Sequence, residues 1–139
     1  MNVEAFLLCD AATDSNGKLN VLGAFDSVFA STLPTTYPHC AVALRLRMAR
    51  SELGEHKIAL HMVDEDGKHV ITPLEGNFRV AGRNDLSNAI NLILNIQGLR
   101  LTKHGELAIH LLLDGKHVTS LPLHVRRPPG APAAPPAPA

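Results

Sequence analysis

Tryptophan is absent from the chain, and aromatic residues fill only 4% of its 139 positions. Any core built from this sequence is therefore aliphatic, and no ring-rich platform exists on which single-stranded nucleic acid would stack its bases. Net charge is absent as well. Thirteen basic residues offset thirteen acidic ones, which removes the electrostatic reason to expect nucleic acid or an anionic membrane as a partner. Two cysteines, Cys9 and Cys40, are too few for a disulfide scaffold. They read as small buried thiols, with a mutual disulfide or thiol chemistry as alternatives. No apolar run approaches the ~20 residues of a membrane span. The most hydrophobic stretch, residues 89–96, is interrupted by Asn91 and Asn95. The opening Met1-Asn2-Val3-Glu4 lacks the basic region of a signal peptide, and residues 5–9 are too short for its apolar segment. A cytoplasmic address is the expectation.

An apolar period of 3.6 residues is also missing, since it nowhere persists over three turns. A period of two takes its place. In residues 40–48, Val42, Leu44, Leu46 and Met48 alternate with Arg45 and Arg47. In residues 88–97, Ile90, Leu92, Leu94 and Ile96 alternate with Asn91 and Asn95. Residues 3–10 read as a first strand, with Phe6 and Leu8 on one face, and residues 18–25 pair back on it after the turn signal Thr13-Asp14-Ser15-Asn16-Gly17. Gly23 inside the second strand marks a bulge or a close backbone approach. Residues 26–38, broken by Pro34 and Pro38, read as a crossover. Residues 54–70 read as a hairpin in which Ile58, Leu60 and Met62 face inward, Asp64-Glu65-Asp66-Gly67 turns the chain, and residues 68–71 return as the partner strand.

Much of that hairpin recurs in residues 105–118, where Asp114-Gly115 is the signal for a two-residue type I′ turn. Between the two hairpins, Pro73-Leu74-Glu75-Gly76 reads as a turn, residues 77–81 as a short strand and residues 82–87 as a polar loop. Residues 99–104 connect to the second hairpin. Residues 119–125 close the sheet, with Pro122 demoting that part to an edge or bulge. About eight or nine short strands with turns between them predict an all-β fold, an antiparallel β-sandwich of immunoglobulin-like kind, over residues 1–127. A closed barrel is the architectural alternative. Residues 128–139, PPGAPAAPPAPA, form a Pro/Ala-rich tail that has no means of building a core and reads as disordered.

A resemblance rests on particular runs. Leu7-Leu8-Cys9-Asp10-Ala11-Ala12 followed by Gly17-Lys18-Leu19-Asn20-Val21-Leu22-Gly23-Ala24-Phe25-Asp26 resembles the opening of a family of small uncharacterised bacterial proteins. Gly54-Glu55-His56, Asp64-Glu65-Asp66-Gly67, Asn91-Leu92-Ile93-Leu94-Asn95 and Leu121-Pro122-Leu123-His124-Val125 are similar to its later segments. The resemblance covers about residues 3–127. It implies a bacterial β-sandwich of the kind catalogued as a domain of unknown function, and it carries no substrate, cofactor or catalytic residue to transfer.

Chemistry has few footholds. Asp64, Glu65 and Asp66 crowd three carboxylates onto one turn, but a hard cation takes six to eight oxygens, so a second loop bearing Asp14 or Asp85 would have to help. Three histidines (His56, His61 and His69) fall in the first hairpin, and three more (His104, His110 and His117) in or beside the second. His61 and His69 stand where they could meet across strands. No zinc-ligand spacing of His or Cys is present, nor a G-x-S-x-G elbow or a phosphate-cradling glycine loop. His39 and Cys40 are strand neighbours and point to opposite faces. No catalytic residue and no cofactor are assigned. The reading is a non-catalytic protein-binding or structural module acting through sheet edges and loops, with a partner protein or self-association at an edge. The alternative is a metal- or small-ligand-binding sandwich, with Asp64, Asp66, His61 and His69 as candidate ligands.

Overall fold

Strand β4 (Thr35–Met48) shows how alternation becomes architecture. Val42, Leu44, Leu46 and Met48 point to one side and are wholly buried, each such side chain contributing about 1.5–3 kcal/mol by leaving water. The computed structural model describes residues 1–82 and 88–130. Before β4 come β1 (Asn2–Ser15), β2 (Lys18–Ala24) and β3 (Ser27–Phe29). After it come β5 (Gly54–Val63), β6 (Leu74–Val80), β7 (Asn88–Leu101), β8 (Gly105–Leu113) and β9 (Lys116–Arg126). A four-stranded sheet in the order β2-β1-β4-β7 faces a five-stranded sheet in the order β3-β9-β8-β5-β6. Their inner faces share one core, in which Leu44 and Leu46 meet Leu60, Met62, Ile109, Leu111 and Leu123. All pairings are antiparallel except β3 with β9, which is parallel. The fold is all-β, as the alternation predicts.

The first two strands do something further. Cys9 pairs with Ala41 of β4 on one side and with Ala24 of β2 on the other. Past that point β1 parts from β4, and with β2 it forms a two-stranded arm folded over the outer face of its own sheet. Cys9, Ala41 and Ala43 are thereby fully buried, with Ala12, Leu19 and Ile93 packed around them. Small residues on β4 let the arm lie close. Gly23 has a φ of 68°, and a Cβ there would sit 2.6 Å from Asp10 Oδ2, so what closes on it is a carboxylate side chain and not a neighbouring backbone. Both cysteines are free. Burial pushes the Cys40 thiol up to about 11 and raises Cys9 as well, so both stay protonated and inert at neutral pH.

Several boundaries differ from the sequence reading. Residues 68–71 do not form a strand. They touch β5 through one bridge, Val63 opposite His69, and the partners of β5 are β6 and β8. The residues read as a turn at 73–76 lie largely in β6. Strand β1 runs on to Ser15, so the first turn shrinks to Asn16 and Gly17. Residues 26–38 are not wholly a crossover, because β3 and the start of β4 lie within them. Pro38 is tolerated inside β4 because β1 pairs with β4 only up to Ala41, which leaves that flank without a ladder to break. Residues 99–101, read as a connection, continue β7. Pro122 belongs to β9, an interior strand, but β3 reaches only His124, Val125 and Arg126, so Pro122 is edge-like locally. The 83–87 part of the expected polar loop, with Asp85, and residues 131–139 of the tail lie outside the described residues.

Candidate functional site

The outer face of the five-stranded sheet gathers the histidines. The register of β5 with β8 sets His61 directly opposite His110, and that of β8 with β9 sets His110 opposite Ser120. His69 closes on His61 with ring centroids 5.2 Å apart, and His117 closes on His110 at 5.2 Å. The Ser120 hydroxyl lies 2.5 Å from His110 Nδ1 and 2.8 Å from His117 Nε2. A hydroxyl has one proton to give, so one of these rings must donate to it. Burial, then the neighbouring His117 and His61, holds His110 below its ordinary pKa. Beside this row lies an open depression of about 610 Å³, bordered by Lys57, His61, Glu75, Asn77 and Leu112. Two hairpins that looked separate in sequence thus share one histidine row.

The candidate ligands do not converge. Asp64 Oδ1 accepts the N–H groups of Asp66 and Lys68, at 2.9 and 3.0 Å, while Glu65 accepts the Glu106 N–H at 2.9 Å. Lys103 Nζ stands 3.7 Å from Asp64 and 3.4 Å from Asp66. The backbone donors, with Lys103 beyond them, hold the Asp64 carboxyl below its usual range. These carboxylates shape a turn, and Asp64 and Asp66 share the Lys103 ammonium. Asp14, offered as a helper, lies on the other sheet and accepts from Asn91 Nδ2 at 3.1 Å. Among the described residues no group of three or more His, Cys, Asp or Glu side chains is placed to hold a metal ion.

The arginine stripe of β4 is engaged as well. Glu4 on β1 accepts from Arg45 Nε at 3.0 Å and from Arg47 Nε at 2.9 Å. Arg45 Nη1 also donates to Asn91 Oδ1 at 2.9 Å, and Asn91 Nδ2 donates to the Gly17 carbonyl at 3.1 Å. This network pins the tip of the β1–β2 arm. Sequence reasoning found the arginines and missed Glu4, because nothing local says that β1 lies beside β4.

Strand β7 presents a long open edge. It is 14 residues long and hydrogen-bonded to β4 on one flank, in unbroken register from Asn88 opposite Met48 to Gln97 opposite His39. On its other flank it is a sheet edge among the described residues. Ile90, Leu92 and Leu94 point into the sandwich yet stay half-buried, whereas their β4 partners Leu46, Leu44 and Val42 are completely covered. Proteins usually blunt such edges with charge, proline or brevity. The β3 edge has three residues. The β6 edge carries Glu75 and Arg79, and β2 carries Lys18 and the kink at Gly23. From Asn88 to Leu99, β7 has no charged residue and no proline.

Two packed sheets around one aliphatic core define a β-sandwich domain. The chain belongs to a family of unknown function, DUF6941, whose model matches residues 4–126. No curated protein matches it. Among solved structures, the chain is similar to the Pseudomonas fluorescens alkylpurine DNA glycosylase AlkC bound to DNA containing an abasic site analog, at 12% identity and a TM-score of 0.38. That match covers 73% of this chain and 28% of the glycosylase chain, and a likeness so slight carries no argument about fold or function. Among the described residues no helix is long and apolar enough to cross a membrane.

Proposed function

We propose that this protein is a non-catalytic protein-binding module that takes an extended segment of a partner onto the free flank of β7. The observation that carries the reading is the long edge without charge or proline between Asn88 and Leu99, bonded to β4 on one side. Backbone N–H and C=O groups along an edge are an obligatory donor and acceptor array. Strand addition satisfies them, while half-covered side chains such as Ile90, Leu92 and Leu94 supply the apolar contact.

The strand order supports an immunoglobulin-like reading of the sandwich. With β1, β4 and β7 taken as A, B and E, and β5, β6, β8 and β9 as C, C′, F and G, the orders A-B-E and G-F-C-C′ both follow. In such sandwiches a D strand lies beside E, which is the flank of β7 left unpaired among the described residues. Two free buried thiols support a reducing, cytoplasmic setting, and the family resemblance supports a bacterial source.

The test is site-specific photo-crosslinking in cells. A photoreactive residue at Asn95, exposed on β7, is compared with one at Lys57 on the histidine face. Protein adducts from Asn95 are expected. Adducts from Lys57 alone, or from neither position, would overturn the edge as the working surface.

A further inference from the structure

Residues 90–96 of β7 read Ile-Asn-Leu-Ile-Leu-Asn-Ile, which is the same in both directions. That symmetry matters only for a strand that can meet itself antiparallel, and β7 is an edge strand whose other flank is unpaired among the described residues. We infer that the β7 edge pairs antiparallel with the β7 edge of a second copy of this chain, about a two-fold axis through Ile93. The inference rests on the edge reading above and names its occupant.

The register follows from geometry. Residues directly opposite each other in an antiparallel pair point to the same face of the sheet. A two-fold axis through a residue position keeps inward side chains opposite inward ones. Centred on Ile93, it sets Ile90 opposite Ile96 of the other copy, Asn91 opposite Asn95, Leu92 opposite Leu94, and Ile93 opposite itself. The inward set, Ile90, Leu92, Leu94 and Ile96, already packs on the core, and the two cores would join along a continuous sheet. On the outer face the exposed amide of Asn95 can donate and accept, whereas that of Asn91 is held by Arg45, Asp14 and the Gly17 carbonyl. No like charges meet, because the charged residue of β7, Arg100, falls beyond the paired stretch. A heterologous contact could propagate into a filament, whereas the two-fold uses both edges up and closes at two copies.

Light scattering on the full chain across a dilution series is expected to give twice the 14.9 kDa chain mass, falling toward one chain on dilution. Cross-linking fixes the register. Facing Cα atoms of an antiparallel pair lie roughly 4.5–5.5 Å apart, within the span a disulfide bridges. The variant Ile93→Cys should therefore cross-link to itself on mild oxidation. Ile93 also packs under the β1–β2 arm, so a pair of variants outside that cluster keeps the test independent of that contact. In this register Ala89 stands opposite Gln97, and each lies about 27 Å from its own copy at ~3.4 Å per residue. Ala89→Cys and Gln97→Cys should each fail to cross-link alone and cross-link when mixed.

A chain that stays monomeric at every concentration and forms neither bond overturns the inference. So does a dimer in which the mixture behaves like the single variants. Adducts from Asn95 to a different protein, with a monomeric chain, would leave the edge reading standing and remove the second copy.

Discussion

Asp114→Asn isolates one electrostatic contact at the end of the sandwich. Asp114 and Gly115 both have positive φ, 51° and 78°, the requirement of the type I′ turn joining β8 to β9. The Asp114 carboxylate accepts the Lys57 N–H at 2.9 Å and contacts His56 Nδ1 at 2.7 Å. Asparagine tolerates the same left-handed backbone and can still accept from Lys57, so the substitution removes chiefly the charge. In the native protein the Asp114 hydrogen bond, followed by that to the Glu52 carbonyl, raises the His56 pKa. The contact with His56 and then the Lys57 N–H lower that of Asp114.

The signs define a window. A histidine with a raised folded pKa stabilises fully below its unfolded value, near ~6.5, and loses that contribution as pH rises through the folded one. A carboxyl with a lowered pKa stabilises above its unfolded value, near ~3.9, and loses that as pH falls through the folded one. The pair therefore contributes most between about pH 4 and 6.5. Asp114 is 44% exposed, so the screened value is about 0.5–1 kcal/mol, a fall in Tm of roughly 2–4 °C. Thermal unfolding of both proteins at pH 5.5 and pH 8.5 measures it. The difference should be largest at the lower pH and shrink at the higher. His110, whose lowered pKa makes its own contribution present above ~6.5 and lost on acidification, is common to both proteins and cancels. An equal deficit at the two pH values would refute the charge argument and leave only turn geometry.

Two further outcomes follow from the same structure. Tyr37, the sole tyrosine, donates to Asp10 Oδ1 at 2.7 Å, and that hydrogen bond, with burial, pushes its pKa up to about 12. Asp10→Ala should bring it back toward ~10, read by ultraviolet titration with no tryptophan to interfere, and an unchanged curve would mean that Asp10 is not the cause. The metal alternative makes the opposite prediction to the one drawn from the engaged carboxylates. EDTA, Ca²⁺ and Zn²⁺ should each leave Tm within about 1 °C, whereas a site filled at about 100 times its Kd would stabilise by ~2.7 kcal/mol, several degrees for a domain of this size.

Where the sequence was legible, the signal was the period of two over a buried face. Val42, Leu44, Leu46 and Met48 in β4, and Ile58, Leu60 and Met62 in β5, all point into the core. Turn chemistry at Asp114 and Gly115 was equally plain. The partner of β5 was not: Asp64-Glu65-Asp66-Gly67 does turn the chain, with the Gly67 N–H on the Asp64 carbonyl at 3.0 Å, but no strand follows the turn. Its Asp64 side chain takes the N–H of Lys68, and beyond a single bridge the chain moves off to begin β6 at Leu74. Prolines misled in the same way. A missing N–H breaks a strand only where a neighbour needs it, and whether β1 reaches Pro38 or β3 reaches Pro122 is a matter of tertiary length. The histidine row required the pairing of β5 with β8, which no local pattern encodes.

Strand β7 shows the limit most sharply, and also how topology gives meaning back to sequence. Alternation of Ile90, Leu92, Leu94 and Ile96 with Asn91 and Asn95 says that one face is apolar. It is silent on whether the strand has one neighbour or two. A central strand with this pattern would satisfy its backbone on both flanks, and its palindrome would be an accident of composition. Placed at the edge, with Ile90, Leu92 and Leu94 half-covered and charge excluded from Asn88 to Leu99, the same letters describe a surface complementary to itself. The discriminating substitution therefore lies at the symmetry centre. Two copies of Ile93→Asp would oppose one carboxylate to another, as would two ammonium groups of Ile93→Lys, and like charges directly opposite destabilise a strand pair. Each variant should be monomeric, and an equimolar mixture should regain the dimer. Recovery in the mixture cannot come from a general loss of folding, and its failure with both variants folded would remove the axis from Ile93.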